Sequence, residues 1–175
     1  MPLDELVNFV NGGNVIVSTK LENYEKVFID TINYFLSKNM SGVILSLNKS
    51  YAALMKTFET NKVDTKNLTF IDSITYNEEK REGNCIYLSR PFNATNASIV
   101  IDELLKTPSN KFFVFDSLTT MLLSYDPVVT VKFFQYNLPK FASQKRTAII
   151  FAIDVDTKNE STNLIVRLCD KIVTV

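Results

Sequence analysis

Phe112, Phe113, Val114 and Phe115 form an unbroken apolar run of aromatic and β-branched residues, and an acid, Asp116, follows at once. A strand with one wet face alternates apolar with polar. An unbroken run suits a strand buried on both faces of a parallel sheet, with helices covering each side. In open α/β sheets ligands sit outside the carboxyl ends of the strands, so this run would deliver Asp116 to the edge where chemistry normally happens. Ser117, Thr119 and Thr120 supply hydroxyls at a predicted helix start. The same residues also fit an ordinary strand followed by an N-cap, in which a side-chain oxygen satisfies a free helix N–H.

The rest of the chain supplies the layers that such a strand needs. Asn14 to Ser18 is a first short buried strand, led in by the pair Gly12-Gly13. Tyr24, Val27, Phe28, Thr31, Ile32 and Phe35 then recur at three- and four-residue spacing, which predicts a helix packing one face on a sheet. Val43 to Leu47 reads as a second strand, Tyr51, Leu54, Met55 and Phe58 as a second helix, and Leu68 to Ile71 with Asp72 as a third strand. Strand and helix in alternation force crossover connections and hence a parallel sheet. Thr75 to Gly83 is charged and nearly devoid of apolar residues, which predicts a mobile surface loop. Cys85 to Leu88 reads as a short strand, and Asn96 to Leu105 as a helix. After the Phe112 strand, Asp126-Pro127 predicts a helix entry, with Val128, Val131, Phe134 and Leu138 as its inward stripe and Pro139 limiting or kinking its end. Thr147 to Ile153 is another buried strand, Ser161 to Leu168 a last short helix and Lys171 to Val175 a closing strand.

Composition excludes several classes of function. The chain has 175 residues, 46% of them hydrophobic, which is enough for one domain with a sizeable core, taken as residues 1 to 175. Its 19 basic and 19 acidic residues cancel, so nothing supports long-range attraction to nucleic acid or an anionic membrane. No apolar run approaches the roughly 20 residues that span a bilayer, and Asp4 and Glu5 stand where a signal peptide would be basic, so a cytoplasmic location is expected. In that setting Cys85 and Cys169 are expected to be free thiols. The Asn-x-Ser/Thr matches at Asn39, Asn48, Asn67, Asn93, Asn96 and Asn159 are expected to be accidental. There is no histidine. That removes Ser-His and Cys-His catalysis, the commonest general base near neutral pH and every histidine metal site.

The order of elements, with Phe-Val-Phe-Asp-Ser-Leu-Thr-Thr at its centre, a Pro-led helix, Thr-Ala-Ile-Ile-Phe-Ala and a closing Cys-Asp-Lys-Ile-Val-Thr-Val, resembles the core of RecA-superfamily ATPases, and in particular the KaiC-like group of archaea and bacteria. The resemblance extends from Gly12 onward. It implies a three-layer α/β/α sandwich with a mostly parallel, RecA-like sheet of the P-loop NTPase type. It also implies ATP and Mg²⁺ as ligands, with Asp116 on the metal.

The chain departs from that pattern twice. Such ATPases carry Gly-x-x-x-x-Gly-Lys-Ser/Thr after the first strand, where glycines let backbone N–H groups close round the phosphates and the hydroxyl ligates Mg²⁺. Here the stretch runs from Ser18 to Val27. With Lys26 on the motif lysine, Lys20 and Glu25 stand where glycines belong and Val27 where the hydroxyl belongs, while Glu22 and Glu25 would repel a triphosphate. At the end of the second strand, where KaiC-like ATPases place paired acids, the chain reads Asn48-Lys49. These departures predict a catalytically degenerate domain, a regulatory or protein-interaction module that needs no cofactor. The alternative is a non-standard ATP-binding protein or ATPase using Lys20, Lys26, Asp116, Ser117 and Thr119, with Asp116 on Mg²⁺. By resemblance a protein partner or a homo-oligomer is expected. Phe133, Phe134, Gln135 and Tyr136 are read as core first and as a contact surface second.

Overall fold

A computed structural model describes residues 2–175, with side chains from residue 5 onward, so the Asp4 side chain lies outside the described residues. A 3-10 helix, Pro2–Phe9, precedes β1 (Gly13–Thr19), α1 (Tyr24–Leu36), β2 (Ser41–Ser46), α2 (Tyr51–Thr60) and β3 (Leu68–Asp72). There follow β4 (Lys80–Glu82), β5 (Cys85–Tyr87), α3 (Ala94–Leu105), β6 (Asn110–Asp116), α4 (Leu118–Ser124), α5 (Pro127–Ser143), β7 (Thr147–Ile153), α6 (Glu160–Val166) and β8 (Lys171–Thr174).

The strands form one eight-stranded sheet in the order β4-β5-β3-β2-β6-β7-β1-β8. Every pairing is parallel except that of β4 with β5. Alternation along β6 sends Phe112 and Val114 to the face covered by α1 and α2, and Phe113 and Phe115 to the face covered by α3, α4, α5 and α6. Both faces are therefore apolar, as the unbroken run requires, and the architecture is a three-layer α/β/α sandwich.

Glycine matters at two close approaches. A Cβ at Gly12, whose φ is +111°, would lie 2.9 Å from the Lys145 backbone at the entry to β1. A Cβ at Gly42 would lie 2.2 Å from the ring of Phe112 on the neighbouring strand.

The structure corrects three expectations. Thr75 to Gly83 is not wholly a loop: its last part is β4, paired antiparallel with β5 through the two-residue turn Gly83-Asn84, with Gly83 at φ +58°. Three charged, exposed residues can pair there because an edge strand needs only its main-chain bonds, and Arg81 adds a bidentate contact to Glu103 at 2.7 and 2.6 Å. The fifth helix runs through Pro139 to Ser143. The carbonyl that proline leaves unpaired belongs to exposed Gln135, where water can serve it, and continuation buries Phe141 against Phe113 and Phe115. Finally, Phe133 and Phe134 are core, but Gln135 and Tyr136 are exposed.

Candidate functional site

The carboxyl ends of β1, β2, β6 and β7 bring the sequence-predicted residues to one edge of the sheet. Asp116 closes β6 and shares the side of Phe112 and Val114, facing the layer that holds α1. It is buried, and two donors converge on its Oδ1. One is the hydroxyl of Tyr24, the first residue of α1. The other is Nδ2 of Asn48 at 2.6 Å, from the loop after β2. The same amide lies 3.3 Å from Ser117 Oγ, and Asn48 Oδ1 accepts a hydrogen bond from Thr120 Oγ1. Asn48 is thus clamped between the end of β6 and the start of α4.

Strand order explains why Tyr24 is the residue that reaches Asp116. The strand leading into α1 is β1, which is separated from β6 by β7. At about 4.8 Å per strand, the ends of β1 and β6 lie roughly 10 Å apart. A tyrosine can span that gap. Its ring packs edge-on against Phe151 of β7, 5.7 Å between centroids, and stacks near Phe28 at 6.4 Å. Burial pushes the Asp116 carboxyl above the ordinary carboxylate range, and the bonds from Tyr24 and Asn48, with the charge of Lys49, partly oppose that. Burial first, and the Asp116 charge second, push the Tyr24 phenol well up, so it remains a neutral donor.

Of the other residues read from the sequence, Ser117 and Thr120 join this cluster. Ser117 Oγ caps α4 by accepting from the Thr120 N–H at 3.3 Å, and the peptide between Asp116 and Ser117 is cis. Thr119 Oγ1 accepts from the Ile153 N–H at 2.9 Å, which ties α4 to the end of β7. Lys26 is exposed and paired with Asp30 at 2.6 Å, one turn along α1. Lys20 is exposed and alone separates β1 from the 3-10 turn Leu21–Asn23 that opens directly into α1. Lys49 lies 2.9 Å from Glu25, so an ion pair bridges the β2 loop to the first turn of α1.

Tyr24 and the pairing role of Asn48 are what sequence reasoning missed. Tyr24 stands at the head of an apolar stripe, and the one available signal was that a tyrosine in such a stripe needs a partner for its hydroxyl. Asp72, which closes β3, accepts from the N–H groups of Tyr51, Ile74 and Thr75 at 2.6, 2.7 and 3.0 Å and acts as a structural cap. Among the described residues no group of three or more His, Cys, Asp or Glu side chains could hold a metal ion, and no helix is long and apolar enough to cross a membrane.

Sheet order and layers define a three-layer α/β/α domain with a mostly parallel sheet. Among solved structures, a KaiC-like protein from the hyperthermophilic archaeon Pyrococcus horikoshii OT3 matches 94% of this chain and 71% of its own, with a TM-score of 0.63 and 12% sequence identity. At that identity the likeness is one of fold: the chain has the fold of that KaiC-like protein. No family model and no curated protein sequence matches it.

Proposed function

We propose that this chain is a catalytically degenerate KaiC/RecA-like domain that acts as a regulatory or protein-interaction module and lacks a working phosphate-binding loop. One observation carries the reading: the strand-end acid that would face Mg²⁺ in a nucleotide-binding relative already accepts two internal donors, Tyr24 and Asn48, on a single oxygen. A buried carboxyl whose Oδ1 is already shared by two internal donors fits a structural role, tying α1 and the β2 loop to the end of β6.

The surrounding residues fit Mg²⁺·ATP poorly as well. Phosphate binding at a strand-to-helix turn needs a run of free backbone N–H groups held open by glycine. Between β1 and α1 this chain has Lys20 and a 3-10 turn without glycine, and the Asn23 N–H already donates to the Lys20 carbonyl at 3.0 Å. Lys26 faces Asp30, and Glu22 and Glu25 are exposed at the same helix start, where they oppose an anion. With Asn48 and Lys49 after β2, no side chain there can deprotonate an attacking water.

Calorimetric titration of the full chain with ATP and ADP, with and without Mg²⁺, tests the proposal. No heat of binding at millimolar nucleotide is expected. A second reading, an ATP-binding protein or ATPase with Asp116 on Mg²⁺, draws on the position of Asp116 at the carboxyl end of β6. It requires Mg²⁺-dependent binding that Asp116→Ala abolishes.

A further inference from the structure

We propose that the trough between α3 and α5 is the docking site for an acidic, amphipathic helix of a partner protein. The trough is about 450 Å³ and lies on the face of the sheet opposite α1 and Tyr24. Its floor is Phe133, and its walls include Ile99 and Val129, 60% and 46% exposed, and the ring of Tyr136, 55% exposed. Packing within the chain leaves these side chains out, because α5 already sends Val131, Phe134, Leu138 and Phe141 into the core. Contiguous exposed apolar surface of this kind marks contact sites.

The walls are held in place by polar contacts. Asn137 Nδ2 donates to Ser98 Oγ at 2.9 Å, Tyr136 Oη donates to Asp102 at 3.1 Å, and Lys140 pairs with Asp102 at 2.5 Å. The groove is therefore preformed, which lowers the ordering cost of binding. From Val129 to Tyr136 the trough runs along α5 for about 10 Å at 1.5 Å per residue. That is about two helical turns, the span over which anchors at i, i+3 or i+4 and i+7 engage a groove.

Charge selects the partner. From Pro127 to Ser143 the fifth helix carries two lysines and no acid. Lys140 is neutralised by Asp102, whereas Lys132, the only charged residue lining the trough, has no carboxylate within ion-pair distance among the described residues. A second copy presenting the same face would set Lys132 against Lys132, with no acid in the groove to answer either. A helix with apolar anchors and carboxylates beside them meets both the surface and the charge.

This inference rests on the reading of the chain as a protein-interaction module. The probe is a fluorescein-labelled, helix-stapled peptide of about 14 residues with leucines at i, i+3, i+4 and i+7 and glutamates elsewhere, compared with a twin in which lysines replace the glutamates. Fluorescence anisotropy with the full chain should show binding of the glutamate peptide, weakened about tenfold or more by Lys132→Glu, a change that should also favour the lysine twin. Val129→Asp and Ile99→Asp, at exposed positions, should remove binding with the melting temperature unchanged. Equal binding of both peptides, or no binding of either, would overturn the proposal. So would concentration-dependent dimers in sedimentation that Val129→Asp dissociates, which would assign the trough to a second copy. Nucleotide calorimetry reads the closed cleft separately, so a failed peptide titration with no nucleotide binding would count against this groove alone.

Discussion

Tyr24 and Asp116, 92 residues apart in the chain, are joined by a hydrogen bond from the phenol to a buried carboxyl oxygen, laid across the intervening strand through Phe151. The contact links the first turn of α1 to the end of β6, and Asn48 adds the loop after β2 to the same oxygen. Three segments thus converge on one acid at the sheet edge where ligands of this fold class bind.

Replacing Asp116 with Asn should stabilise the protein, and increasingly so as pH rises. Burial raises the folded-state pKa of Asp116 above its unfolded value. Such a group contributes its stability fully below the unfolded pKa, about 3.9, and loses it as pH climbs through the folded pKa. Asn keeps an oxygen that can accept from both Tyr24 and Asn48 and does not titrate. Thermal melts from pH 4 to 8 should show the variant gaining steadily on the wild type through this window. A wild type that outlasts the variant at pH 8 would show that the charge itself is stabilising.

Tyr24→Phe removes a donor to a buried acid and leaves the ring packing in place. The expected loss is about 1.5–3 kcal/mol in the wild-type background and about 1 kcal/mol in Asp116→Asn, where the acceptor is neutral. Urea unfolding of the two single variants and the double variant measures the difference as a coupling energy.

The apolar layers were legible in the sequence, and the site only in part. β6 and β7 are buried on both faces, so their unbroken runs declare them, and Asp126-Pro127 opens α5 where local chemistry requires, with Asp126 Oδ1 accepting from Val128 and Val129 at 2.7 and 3.1 Å. The hairpin of β4 was signalled by Gly83-Asn84 but masked by Lys80, Arg81 and Glu82, whose charges look like loop. Pro139 misled because tertiary packing of Phe141 outweighs the local cost of proline. Asn48 could be seen as a missing acid, yet its meeting with Asp116 depends on β2 lying beside β6, a neighbour relation between strands far apart in the chain. Tyr24 was hidden for the same reason: which hydroxyl finds which acid is decided by strand order.

Gly42→Ala should be costly, although Gly42 has an ordinary backbone conformation. The added methyl would meet the Phe112 ring, which is itself held against Phe35 at 5.1 Å. Overpacking of this kind destabilises by about 1–3 kcal/mol. Adding Phe112→Leu should recover part of the loss in urea midpoint, and an additive double variant would argue against the steric cause.

Both thiols should react slowly in the native protein. Burial pushes Cys85 and Cys169 up to about 12 each, the Asp170 charge adding to the effect at Cys169. The reactive thiolate fraction at pH 8 is then on the order of a thousandfold below that of a free cysteine. Iodoacetamide labelling followed by mass spectrometry should modify both residues in urea and spare them in native buffer, Cys85 most completely because it is the more buried.

The most direct test of the proposed loss of nucleotide binding is fluorine NMR of the chain carrying 3-fluorotyrosine, with the Tyr24 resonance assigned by its loss in Tyr24→Phe. The Tyr24 phenol is bonded to Asp116 Oδ1, so Mg²⁺ arriving at either oxygen of that carboxyl would alter the field at the ring, and the resonance would move. The account predicts an unchanged Tyr24 signal when Mg²⁺·ATP is raised to millimolar concentration. A saturable shift that requires Mg²⁺ would contradict it and make this chain a nucleotide-binding switch.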